Sequence, residues 1–142
     1  MIIVSVVSDF MTAMQSANPD INIDYIGDIL EYGTVSQDEA IELSNLMIRS
    51  VLQEENNAVR ESIFHALSHA VVFRNVGSFV EWNLLVDNVS KINSSELEYV
   101  LTCLGFSHNK KYIPFIESFL SNASPMIREV AQEALEELSA GV

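Results

Sequence analysis

Three residues open the question of chemistry: Glu61, His65 and His69, at i, i+4 and i+8, share one face of any helix that contains them. Two histidines at i, i+4 are a zinc-ligand spacing. His65 is followed by Ala66, however, so the H-E-x-x-H pattern of zinc proteases, whose glutamate serves as general base, is absent. With no cysteine nearby and no third histidine in register, no metal is expected here; a polar contact strip that includes Phe64 is.

A second cluster is acidic. Asp20, Asn22, Asp24, Asp28 and Glu31 fall at positions 1, 3, 5, 9 and 12 of a calcium loop. Position 6 needs glycine for its sharp turn and holds Tyr25; position 8 holds Gly27 where an aliphatic residue belongs. The same carboxylates line one face of a helix over about 16 Å, and that acidic stripe is the expectation. No G-x-S-x-G elbow supports a serine nucleophile, and no glycine loop cradles a phosphate. The sole cysteine, Cys103, has apolar neighbours and is expected to be an inert core thiol. No catalytic residue and no cofactor are expected.

The elements that must position these residues come next. The chain has 142 residues, 49% of them hydrophobic, which is long and apolar enough for one domain with its own core. Ile3, Val6, Val7, Phe10, Met11 and Met14 recur at helical spacing, which predicts a helix over residues 2–16. Asn18-Pro19 opens a second, with Ile21, Tyr25, Ile26, Ile29 and Leu30 as its buried face and Gly33 as its stop. Ser36 with Glu39 forms a capping box for a third, and a fourth follows the Glu54–Asn57 turn and runs to about Phe73. Shorter helices are expected over 79–89 and 110–120, with longer ones from Asn93 to Gly105 and from Pro125 to Leu138. The fold class is all-α, about eight helices joined by short polar turns.

Part of the chain recurs. A shift of 68 residues lays Ile48–Leu67 on Ile116–Leu135, with seven of the 20 positions identical, Arg60/Arg128 and Ala66/Ala134 among them. Cys103-Leu104-Gly105, Ile113-Pro114-Phe115-Ile116, Leu120, and Pro125 with Arg128, Ala131, Ala134 and Leu135 together resemble HEAT-like repeats. Residues 46–67 match more weakly, with Asn57 where Pro125 stands, and the copies step by 37 and then 31 residues. The resemblance covers about 36–140. It implies a short right-handed α-solenoid of antiparallel helix pairs, the second helix of each pair lining a concave face, with residues 1–35 as an amino-terminal cap. An irregular helical bundle is the competing architecture. The matched Arg60 and Arg128 are expected to bond to the neighbouring turn.

Seven basic residues against 20 acidic ones give a net charge of −13, which disfavours direct nucleic-acid binding and favours a basic protein partner. The outward side of the repeat helices then reads Glu61, Phe64, His65 and His69; Glu98, Tyr99 and Thr102; Glu129, Glu133 and Glu136. These, with Asp24, Asp28 and Glu31, are the expected partner-binding residues. By size and acidity the chain is similar in type to bacterial toxin-immunity proteins, which implies a non-enzymatic cytoplasmic binder of a basic nuclease toxin. A general HEAT-like adaptor is the alternative, and a metal-dependent protein a third. The amino terminus lacks a positive n-region and carries Asp9, so no signal peptide is expected, and no apolar run is long enough to span a membrane.

Overall fold

The computed structural model describes residues 5–140. Within them every regular element is helical, no strand occurs, and eight α-helices follow in order. Ile2, Ile3 and Val4, assigned above to the first helix, lie outside the described residues. The chain divides into two compact units, one ending at Val76 and one beginning at Gly77.

In the first unit, α1 (Val6–Met14) starts where Ser5 Oγ accepts the Ser8 N–H at 3.1 Å. α2 (Pro19–Tyr32) has Pro19 in its first turn as expected, although the Asn18 side chain makes no capping bond. α3 (Gln37–Gln53) begins at Ser36, whose Oγ accepts the Glu39 N–H at 3.2 Å. α4 (Asn57–Arg74) is capped by Asn56 Oδ1, which accepts from Ala58 and Val59 at 3.0 and 3.1 Å. α2 lies against α4, α3 against α4, and α1 against α2 and α3. α1 and α2 share a core with α3 and α4. Phe10, Ile23 and Leu30 are buried alongside Leu43, Met47, Ile63 and Leu67.

The second unit holds α5 (Asn83–Asp87), α6 (Ser94–Phe106), α7 (Ile113–Glu117) and α8 (Pro125–Ala140), with 3-10 turns at Gly77–Phe79, Val89–Lys91 and Lys110–Tyr112. The helix expected over 79–89 is thus broken into pieces. The Asn88 side-chain amide competes locally for a backbone carbonyl, donating to Leu84 O at 2.8 Å. The helix expected over 110–120 is likewise reduced to a 3-10 turn and α7. α6 has the full reciprocal capping box: Asn93 Oδ1 accepts the Glu96 N–H at 2.9 Å, and Glu96 Oε1 accepts the Asn93 N–H at 3.2 Å. α8 packs on α6 and α7.

The repeat has a physical counterpart. α4 begins at Asn57 and α8 at Pro125, 68 residues apart. The buried residues of α8 are Ile127, Ala131, Ala134 and Leu138; their counterparts Val59, Ile63, Ala66 and Ala70 are all buried on α4. Arg60 donates to Val51 O at 2.6 Å and Glu54 O at 3.0 Å, and Arg128 donates to Asn122 O at 2.7 Å and Ala123 O at 3.3 Å. Glu54 and Asn122 each stand six residues before their arginine, so both side chains satisfy carbonyls left open by the preceding turn. Each alanine also faces a glycine. Ala66 lies beside Gly27 of α2, and Ala134 beside Gly105 of α6.

The two glycine contacts differ in tightness, which yields a prediction. A methyl group at Gly105 would stand 2.9 Å from both Cα and O of Ala134, whereas at Gly27 its nearest neighbours would be His69 Nδ1 at 3.7 Å and Ala66 Cα at 3.8 Å. Gly105→Ala is expected to destabilise by about 1–3 kcal/mol through overpacking. Gly27→Ala should lie between neutral and about 1 kcal/mol stabilising, because alanine favours the helix. Urea midpoints of the two variants check the order; equal losses would contradict it. The arginines give a second contrast. Arg60 is buried and Arg128 exposed. Arg60→Ala should cost about 2–3 kcal/mol and Arg128→Ala about 1 kcal/mol or less in the same measurement.

Candidate functional site

Asp24, Asp28 and Glu31 project from α2, whose buried side is Ile23, Ile26, Gly27 and Leu30. That choice of side corrects the expectation that Ile21 and Tyr25 are core residues. Ile21 is 54% exposed, Tyr25 62% and Tyr32 81%. α2 carries two apolar sets at helical spacing, and the set of Ile23, Ile26, Gly27 and Leu30 is the one turned to the core, with Gly27 beside Ala66 of α4. The other set is left outside among the acids.

There it lines two open hollows that share Tyr25 and Ile29. One of about 340 Å³ is bounded by Tyr25, Asp28, Ile29, Tyr32 and Gly33. The other, about 260 Å³, runs on between α2 and α1 past Asn22, Thr12 and Asp9. The result is a groove with aromatic and aliphatic walls and a carboxylate rim. The Glu31 carboxylate, hydrogen-bonded to the Tyr32 phenol and opposing its ionisation, holds that phenol above its ordinary value; desolvation and Asp28 add to the effect.

Charge around the groove is one-sided. Residues 1–76 carry eleven Asp and Glu against three Arg, a net of −8. Two of those arginines are engaged with carbonyls. Arg60 holds the end of α3, and Arg74 donates to Leu30 O at 2.6 Å, to Ile29 O at 3.3 Å and to Gly33 O at the end of α2.

On α4, Glu61 and His65 are exposed and His69 is half-buried. Phe64 is fully buried, which corrects its expected place on the outward strip. α4 is enclosed by both α2 and α3, so the side carrying Phe64 faces protein, and the Arg60 guanidinium sits 6.0 Å from the Phe64 ring centre. His69 Nδ1 lies 3.1 Å from Gly27 O and 3.6 Å from Glu31 Oε2, while its Nε2 lies 3.2 Å from His65 Nε2. A carbonyl only accepts, so Nδ1 of His69 carries the proton, and its Nε2 lone pair accepts from His65 when both rings are neutral.

The remaining expected residues belong to the second unit. On α6, Glu98, Tyr99 and Thr102 are half-buried, and the Thr102 hydroxyl donates to Glu98 O at 3.0 Å. On α8, Glu129, Glu133 and Glu136 are exposed, and Gln132 reaches Glu136 Oε1 at 3.4 Å. Thr102 and Glu133 meet at a hollow of about 180 Å³ between the two helices, walled by Phe106 and Val130. The acidic run over 20–31 is helical throughout, so it is the expected stripe and not a calcium loop.

Among the described residues no group of three or more His, Cys, Asp or Glu is arranged to hold a metal ion, and no helix is long and apolar enough to cross a membrane. Cys103 is fully buried, and burial pushes its thiol far above the ordinary range. Comparison with protein-family models, curated proteins and solved structures gives no match to this chain.

The state of Cys103 is directly testable. A chromogenic disulfide reagent at mildly alkaline pH should leave the native protein unmodified and titrate about one thiol per chain once urea is added. Rapid reaction of the folded chain would show the thiol to be accessible.

Proposed function

We propose that this chain is a non-enzymatic protein-binding module that uses an acidic, tyrosine-lined face to engage a basic protein. The specific form we favour is a cytoplasmic immunity protein that covers the Lys/Arg surface a nuclease-type toxin needs for its substrate. The observation that carries the reading is the α2 groove. Large apolar side chains stand exposed beside Asp24, Asp28 and Glu31, and tyrosines beside carboxylates suit desolvated contact with Lys and Arg stems. Charge of a single sign also speeds encounter with a basic partner and repels nucleic acid. The same proposal takes the architecture to be HEAT-like hairpins in a short right-handed solenoid. The shared buried face of α4 and α8 and the like bonding of Arg60 and Arg128 support that architecture.

The test is titration of the chain with a panel of basic nuclease domains, read by calorimetry and by nuclease assay. The expected result is a one-to-one complex that inhibits at least one nuclease and weakens markedly from about 50 to about 300 mM salt. Tyr32→Ala should weaken that complex by roughly 2 kcal/mol, as for an aromatic anchor. No complex at the lower salt would overturn the reading. Binding that leaves nuclease activity intact would point to the general adaptor instead.

A further inference from the structure

We infer that the groove along α2 receives one amphipathic, lysine- or arginine-rich α-helix of the partner, a step that rests on the basic-partner reading and narrows it. Ile21, Tyr25, Ile29 and Tyr32 make the apolar line on this side of α2, stepping by four, four and three residues. At 1.5 Å per residue they span about 16 Å, with a mean step of about 5.5 Å. One face of a helix laid along α2 repeats every turn, about 5.4 Å, and keeps register with the whole line. The same face of an extended chain repeats about every 6.7 Å and overshoots by more than about 3 Å at the fourth contact. Backbone bonding gives the same answer. An extended segment needs a sheet edge for its N–H and C=O groups, and the described residues form no strand. A helix arrives with those bonds already made and can lie against side-chain walls.

Charge sets the composition of the occupant. Asp24 and Asp28 are exposed along one flank of the apolar line. Asp9 of α1 stands across the hollow on the other flank. A helix with an apolar stripe and Lys or Arg on both shoulders brings cations to both rails, while the aliphatic stems pack on Tyr25 and Ile29. The α1 wall is built in advance. Asn22 Nδ2 donates to Ser16 Oγ at 2.8 Å, and Ser16 Oγ donates to Ala13 O at 2.6 Å, which ties α2 to α1 at the edge of the hollow. Little ordering of this wall is then left to oppose binding.

The experiment is fluorescence-anisotropy titration of the full chain with labelled synthetic peptides at about 150 mM salt, where charges more than about 8 Å apart are largely screened. The probe is a leucine–lysine peptide with leucine at i, i+3, i+4 and i+7. Its companions are a scrambled isomer with no apolar face, a copy with a central proline, and a copy with glutamate for lysine. The probe is expected to bind one-to-one in the micromolar range, and each companion at least about tenfold more weakly. Circular dichroism of the mixture should exceed the sum of the separate spectra as the peptide folds. Asp24→Lys with Asp28→Lys should weaken the probe by about tenfold or more, whereas Glu129→Lys with Glu133→Lys, the same charge change on α8, should alter it by less than about threefold. Equal binding by the scrambled or proline-broken peptide would overturn the helical occupant and leave a basic partner standing. Equal losses from the α2 and α8 variants would take the site off the groove. Failure of the probe to bind, with a nuclease domain still bound and inhibited, would overturn this inference alone; failure of both would remove the basic-partner reading with it.

Discussion

The close approach of alternate helices through their smallest residues governs both units. α2 meets α4 where Gly27 faces Ala66, and α6 meets α8 where Gly105 faces Ala134. At Gly105 the contact is tight, a Cβ there standing 2.9 Å from Ala134, whereas at Gly27 a Cβ would find ordinary van der Waals room beside Ala66. Once Gly27 is inward, Ile23, Ile26 and Leu30 follow it by helical geometry, and Tyr25 and Ile21 are carried out. The same contact places Gly27 O within reach of His69. The groove and the contact of His69 with Gly27 O thus lie on opposite sides of the same helix, α2.

A second constraint concerns the arginines. A helix ends with carbonyls that have no partner in the helix. Arg60 and Arg74 donate to carbonyls of this kind, at the ends of α3 and α2, and Arg128 donates to carbonyls of the irregular chain just before α8. The positive charge of Arg60 and Arg74 lies at negative helix ends, where it is favourable. Three of the four arginines thus donate to backbone carbonyls.

Much of this was legible in the residues. The starts of α4 and α8, the caps at Ser36 and Asn93, the buried thiol and the turn-bonding of Arg60 and Arg128 follow from local chemistry or from the 68-residue echo, and the structure has them. The errors share a cause. Apolar spacing identifies a helix but does not say which of two apolar stripes faces in, and α2 has two. On α4 the outward strip was inferred from a one-sided helix, whereas α4 is covered on two sides and takes Phe64 into the core. On α8 the corresponding position is Gln132, which is exposed. The broken helices at 79–89 and 110–120 reflect competition that no periodicity records. The Trp82 indole, for example, bonds to Gly77 O at 2.7 Å and anchors a turn where a longer helix was expected.

The exposed tyrosines raise the question of why such a face is not covered by a second copy of the chain. Burying Tyr25 and Tyr32 against their own counterparts would bring Asp24, Asp28 and Glu31 of one copy onto those of the other. Like charges stripped of water at an interface oppose association by several kcal/mol. The first unit alone carries a net charge of −8, so two copies also repel before they touch. A lysine- or arginine-rich surface reverses both terms: it neutralises the rim while its aliphatic stems fill the tyrosine-lined hollow. The aromatic content of the groove makes contact favourable, and the acidic rim decides with whom.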